Sequence, residues 1–246
     1  MMLISKIMVK QILVTGFPHC GTTVLRAKIS ECKNTKEQSK EFNDVTEFHP
    51  NMPYDFYVWK TPIIPGEFRN HTFSVKAETK YKDTIIIPII RNPWNVFSSL
   101  YKRGIQTGQF SIYDNRQGHS LAYYNNACAI ISDAFEKNYK DVYPIKYEEM
   151  FDNNYQKLKE IFEKIGLQYD DTIFETRTKE YKHNDCEYID DYNKKDLQDG
   201  SYRMWQINQP FKNMNSDINL PDDFSEMLAN SPSIQKLGYS DPRITG

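Results

Sequence analysis

The chain has 246 residues, 39% of them hydrophobic and 26% charged, a globular composition long enough for one well-buried domain over residues 1–246. Its formal charge of −2 gives nucleic-acid binding no bulk electrostatic support, and no run approaches the ~18 consecutive apolar residues of a membrane span. Cys20, Cys32, Cys128 and Cys186 are widely separated and lack C-x-x-C spacing, which argues against a zinc site or disulfide framework and for a reducing, cytoplasmic setting.

In chain order, Met1 to Lys10 is too short and too mixed for a secretion signal. Met8 is a candidate initiator, because the first strand starts just after it. Gln11-Ile-Leu-Val-Thr15, an apolar run closed by glycine, predicts a buried strand, and a helix follows over about Thr22 to Cys32. Phe56 to Lys60 predicts a second strand, ended by Thr61-Pro62. Thr84 to Ile90 predicts a third, in which Pro88 marks a bulge or an end beside a site. Asn92-Pro93 then starts a helix, with Asn as N-cap and Pro at the first helical position.

Leu121, Tyr124, Cys128, Ile131 and Phe135 share one stripe of a helix from about Gly118 to Tyr139. Gly104 to Ser120, the glycine-bearing stretch between these two helices, is either a mobile lid or an ordinary surface loop. Val142 to Tyr147 reads as a short strand. Leu158, Ile161, Phe162 and Ile165 mark a helix stopped by Gly166. Residues 168–220 are polar with few periodic signals, and Ile234 to Tyr239 reads as a short closing helix. Strands alternating with helices predict an α/β fold, a three-layer α/β/α sandwich around a central parallel sheet, like a P-loop NTPase.

Gly16-x-x-x-x-Gly21-Thr22-Thr23 has the glycine spacing of a P-loop and sits between a buried strand and a helix, where a P-loop must sit. Glycines let the backbone wrap an anion, while free N–H groups and the helix dipole attract it. Thr22 stands where the P-loop lysine belongs, and the strand over 84–90 ends in Arg91 instead of a magnesium-binding acid. A magnesium–ATP site is therefore disfavoured, and a metal-free ligand with a shorter 5′ anion fits better. Arg91, at a strand's C-terminal end, points into the crevice where open α/β sheets bind ligands, and a guanidinium grips phosphate with two charge-assisted bonds.

These residues resemble PAPS-dependent sulfotransferases. Gly16-Phe-Pro-His-Cys-Gly-Thr-Thr is similar to that family's 5′-phosphosulfate loop, G-x-P-(R/K)-S-G-T-T. Arg91-Asn-Pro-Trp-Asn-Val-Phe-Ser-Ser99 is similar to its second signature, R-(N/D)-P-x-(D/N)-x-x-x-S. Lys60-Thr61-Pro62 resembles the K-T-(H/P) strand end beside the acceptor, and Lys146-Tyr-Glu-Glu-Met150 the later strand whose tyrosine, here Tyr147, lies near the adenine. Arg203-Met-Trp205 resembles an R-x-W pattern near the C-terminus.

The resemblance implies a bacterial, carbohydrate or tyrosyl type of sulfotransferase rather than a phenol type. It implies PAPS as co-substrate and no metal. Pro18, His19, Cys20, Gly21, Thr22, Thr23, Arg91, Ser99, Tyr147 and Arg203 are then the nucleotide-binding residues, with Arg91 and Ser99 on the 3′-phosphate. The acceptor is a small molecule, glycan or lipid. His19 and Cys20 replace the family's Lys/Arg and Ser: either His19 acts as cation or acid, or it only hydrogen-bonds while Lys60 supplies the charge. The family's base is here Glu41, with Glu37, Glu47 and His49 as alternatives. Two other readings stay open: a P-loop kinase for a nucleotide or small molecule, and an inactive nucleotide-binding protein of the same fold.

Overall fold

The structure is a computed structural model that describes residues 9–37, 54–108, 111–114, 118–175, 211–214 and 217–244. Five parallel strands form one sheet in the order β2-β3-β1-β4-β5. They are β1 (Lys10–Gly16), β2 (Thr35–Glu37), β3 (Phe56–Thr61), β4 (Thr84–Ile90) and β5 (Ile145–Lys146). The central strands β1 and β4 are apolar on both faces because helices cover both.

Alternate residues feed two separate cores. Leu13, Trp59, Ile86 and Ile90 face one core with α3 (Pro93–Thr107), α4 (Leu121–Lys137), α7 (Asp222–Ala229) and α8 (Pro232–Lys236). Ile12, Val14, Val58, Ile85, Ile87 and Ile89 face the other, with α1 (Thr22–Ser30), α5 (Gln156–Ile165) and the short α6 (Thr172–Glu175). The result is the three-layer α/β/α arrangement expected from the sequence. Two shorter elements, α2 (Gly66–Arg69) and a 3-10 helix over Thr72–Glu78, follow β3.

The helix after β1 packs on one face and the helix after β4 on the other, so the chain direction diverges between these two neighbouring strands. Such a switch point opens a crevice beyond the C-terminal ends of the strands. Gly16 lets the strands close up there: a Cβ at Gly16 would lie 2.2 Å from the Ile89 carbonyl oxygen.

Four sequence expectations are corrected. Pro88 makes no bulge, since β4 pairs with β1 without interruption from Gln11↔Thr84 to Gly16↔Ile89. Ile86 exchanges its backbone bonds with the β5 side, at Asp141 and Tyr143, so Pro88 also turns its nitrogen to that side. The strand expected over Val142–Tyr147 shrinks accordingly to Ile145–Lys146 plus a bridge at Val142. Pro88 and Pro144 both lack the N–H that would continue the ladder there.

The glycine stretch is also shorter than expected. Helix α3 runs through Gly104 to Thr107 and ends on Gly108 in the left-handed conformation, φ 64°. The closing helix starts earlier, at Pro232. Among the described residues no helix is long and apolar enough to cross a membrane.

Candidate anion-binding site at the strand ends

Phe17 to Cys20 form a tight turn in which the Cys20 N–H donates to the Phe17 carbonyl at 3.1 Å. Pro18 holds its second position and His19 its third, with φ 66°. Left-handed backbone at a non-glycine residue costs on the order of 1–3 kcal/mol and marks a functional conformation often enough to be examined. Gly21, φ 95°, then caps α1 with no side-chain hydrogen bond, so the first-turn N–H groups of α1 are not spent on a capping side chain. Thr22 is buried and Thr23 half-buried at this helix start, which carries no acidic residue.

Asn92 caps α3 by accepting from the Trp94 N–H at 3.0 Å, as its position before Pro93 predicts. This places Arg91 at the end of β4, beside the loop. Its guanidinium stacks over the Tyr147 ring at 4.2 Å and donates to the carbonyls of His19, at 3.5 Å, and Met214. The Arg91 Nε is buried without a hydrogen-bond partner. Among the described residues no carboxylate pairs with this guanidinium.

Ser99, one face further along α3, reaches back to the loop. Its hydroxyl lies 2.8 Å from His19 Nδ1. Tyr147 follows β5, whose path is held by the Tyr147 N–H bonding the Ile90 carbonyl at 2.7 Å. Its ring presses on Gly21, where a Cβ would come within 2.5 Å of it.

Desolvation and the nearby charges of Arg103, His119 and Arg91 push the His19 imidazole down to about 3. Part of the residue reaches the surface, but burial and the Arg103 and Arg91 guanidinium groups favour its neutral form. His19 is therefore a neutral hydrogen-bonding residue in this ligand-free state. A charged role requires a bound anion to reverse the field. Cys20 is fully buried in the α3/α4 core, its thiol pushed up to about 12 by burial, so its side chain faces packing rather than the loop interior.

Lys60 is 2% exposed on β3, level with Val14 of β1 and so near the same strand ends as the loop. Glu37 ends β2. Glu41, Glu47, His49 and Arg203 lie outside the described residues.

Several supporting residues escaped the sequence reading. Glu148 accepts from the Asn92 N–H at 2.8 Å and from the Tyr239 hydroxyl at 3.1 Å, locking the Arg91–Asn92 turn to the C-terminal segment. The same segment is tied down by Lys146 Nζ, which donates to the Leu237 carbonyl at 2.7 Å. Tyr124, read only as a core position, donates its hydroxyl to the Arg91 carbonyl. Met214 receives Arg91 and donates its own N–H to the Tyr147 hydroxyl at 3.4 Å. Nothing in the sequence marks Met214, because it acts through its backbone.

No family model matches the chain, and no curated protein matches it in sequence. The folded chain is similar to a solved sulfotransferase domain from the curacin biosynthetic pathway, with a TM-score of 0.52 and 10% identity over 96% of this chain and 99% of that one. The protein thus has the three-layer α/β fold of which that sulfotransferase domain is one example.

Proposed function

We propose that the chain, as one domain over residues 1–246, is a cytoplasmic sulfotransferase that moves a sulfuryl group from PAPS to a hydroxyl or amine of a small molecule, glycan or lipid. The observation that carries this reading is Arg91: a half-buried guanidinium beside an uncapped helix start, with its Nε unpartnered and, among the described residues, no carboxylate paired to it. The protein supplies this cation with neutral partners, a tyrosine ring and two carbonyls, and a phosphate would supply the opposite charge. Fold likeness and the loop and Arg91–Ser99 motifs support the same conclusion. The buried free thiols Cys20, Cys32 and Cys128 agree with a reducing compartment.

The residues present fit the nucleotide. Thr22, Thr23 and the first-turn N–H groups of α1 would hold its 5′ end, with Pro18 and Gly21 shaping the turn. Arg91 and Ser99 would hold the 3′-phosphate, Tyr147 would border the adenine, and Arg203, outside the described residues, would add a further nucleotide contact. PAPS supplies an activated sulfuryl group. The protein's part is to align the acceptor with that group and to place donors where negative charge grows. Either His19 acts as cation or acid once the anion is bound, or it only hydrogen-bonds at the loop while Lys60 supplies the charge; Glu41 would take the acceptor proton, with Glu37, Glu47 and His49 as rivals.

Calorimetry with adenosine 3′,5′-bisphosphate against ATP–magnesium tests the binding half. The bisphosphate is expected to bind and ATP–magnesium to bind weakly, and the opposite result would overturn the reading in favour of a P-loop kinase. Transfer of labelled sulfate from PAPS to a glycan, lipid and phenol panel tests the chemical half. Binding without any transfer identifies an inactive nucleotide-binding protein.

A further inference from the structure

Ile90 pairs with Lys146 at the last register position of β4 and β5, so the residues that follow, Arg91 and Tyr147, leave the sheet side by side. The Tyr147 N–H, bonded to the Ile90 carbonyl at 2.7 Å, carries that register one step past the strands. The chain then turns at once into a short 3-10 helix, Glu148–Met150, with Tyr147 already in helical backbone at φ −53° and ψ −42°. Its ring thereby stays at the strand ends, where the loop and Arg91 meet.

That ring touches both halves of the anion site. On one half it contacts Gly21, the residue that opens α1, where a Cβ would lie 2.5 Å and 2.8 Å from two ring carbons. On the other it carries the Arg91 guanidinium, whose central carbon lies 4.2 Å from the ring centroid. Met214 clasps the pair, its carbonyl accepting from Arg91 and its N–H donating to the Tyr147 hydroxyl at 3.4 Å. Phe151 meets the ring at 5.0 Å and an interplanar angle of 66°. So enclosed, Tyr147 is 5% exposed, which leaves no open face for a base to stack on.

A rigid plane in contact with two groups fixes how far apart they stand. Here the groups are the uncapped start of α1, with its first-turn N–H donors, and the guanidinium at the end of β4. An arginine stem is long, and a ligand that must immobilise such a side chain loses roughly two- to tenfold in affinity. A guanidinium already seated on an aromatic ring escapes that loss. The contact also occupies its face and not the in-plane edge that carries the donors.

Resting on the sulfotransferase reading, we propose that Tyr147 is a positioning residue that sets the spacing between two anion subsites, bracing Arg91 against the start of α1, and so selects ligands with two phosphates on one ribose. Bordering the adenine is then a matter of its edge, and its weight in binding falls on the phosphates.

Affinities are measured by calorimetry on the full chain with three probes. These are adenosine 3′,5′-bisphosphate, methyl β-ribofuranoside 3,5-bisphosphate, which has no base, and adenosine 5′-monophosphate, which has one phosphate. In Tyr147→Leu both bisphosphates are expected to weaken about tenfold, the scale of a desolvated cation–π contact, with the monophosphate little changed. Tyr147→Phe, which keeps the ring, should retain most of the wild-type affinity. In an Arg91→Ala background Tyr147→Leu should add almost nothing, since the group it positions is gone.

A loss confined to the two adenine ligands makes Tyr147 a base contact, and an equal loss for all three probes makes it a general support; either overturns the proposal. No loss in Tyr147→Leu, or one that persists undiminished beside Arg91→Ala, overturns it too. If Tyr147→Leu does not fold, the wild type decides: the Arg91 Nε–H proton is expected upfield of its usual NMR position because of the ring, and an ordinary shift overturns the bracing. If no bisphosphate binds the wild type, the sulfotransferase reading falls, while that signal and its survival in Tyr147→Phe still decide whether the ring seats the guanidinium.

Discussion

The imidazole Nδ1 of His19 and the hydroxyl of Ser99 meet at 2.8 Å, joining the loop after β1 to the helix after β4 across the switch point of the sheet. Either an imidazole accepting from the hydroxyl or one donating to it satisfies this bond, so the bond itself leaves the ring free to change its charge.

Binding of a dianion next to His19 should raise its depressed pKa and draw in a proton. Adenosine 3′,5′-bisphosphate is therefore expected to bind with net proton uptake, and more tightly as pH falls from 8 to 6. Calorimetry in two buffers of different ionisation heat reads the proton count directly. In His19→Gln the uptake should shrink towards zero.

The same residue links folding to acid. A histidine whose folded pKa lies at about 3, below its ordinary 6.5, disfavours the folded state once the unfolded chain begins to protonate. Stability from this group is complete above pH 6.5 and is lost as pH falls towards 3. Denaturation of ligand-free His19→Gln across that window should show a flatter pH slope than wild type.

Arg91→Ala should weaken bisphosphate binding about 10–100-fold, the loss of one or two charge-assisted hydrogen bonds worth about 1.5–3 kcal/mol. Arg91→Lys should recover only part of this, because an ammonium does not grip bidentately. Unchanged affinity in Arg91→Ala removes the 3′-phosphate assignment.

Gly21→Ala should damage both fold and site. The new Cβ would enter the Tyr147 ring at 2.5 Å while the backbone sits at φ 95°. Strain and overpacking together are expected to cost about 2–4 kcal/mol, seen as a Tm lower by about 5–10 °C. A thermal melt decides it.

Glu148→Ala should loosen the Arg91 turn without touching ligand, leaving the Asn92 N–H without its acceptor at a cost of about 1–3 kcal/mol. Bisphosphate affinity is expected to fall severalfold. Glu148→Gln, whose amide oxygen can still accept from Asn92, should keep most of it. Equal losses in both would show that charge, rather than positioning, is what Glu148 contributes.

The strands and helices that frame the crevice were legible because they repeat simple signals: apolar runs at β1, β3 and β4, an Asn-Pro start at α3, a glycine stop at α5. Thr35–Glu37 was not, since its Thr-Lys-Glu carries no apolar pattern and pairs only as an edge strand. The reduced β5 was misjudged because the effect of Pro88 depends on which neighbour its nitrogen faces, and that is a property of the sheet. At the site, Arg91, Ser99 and His19 stood out by chemistry and spacing. Met214 and Glu148 did not, because one acts through its backbone and the other holds the turn from outside. Cys20 sat in the right motif, yet its side chain turned to the core, a direction that spacing alone does not encode.

The lock between Glu148 and Tyr239 carries a temporal consequence. Arg91 leaves the ribosome nearly 150 residues before the tyrosine that secures its turn. Throughout that interval β1 and β4 are both available to pair, but the Arg91–Asn92 turn lacks its brace from Tyr239 through Glu148. The bracing of this turn thus comes long after the turn itself during synthesis, and a product interrupted before residue 239 would carry both signature motifs without the Tyr239 bond to Glu148.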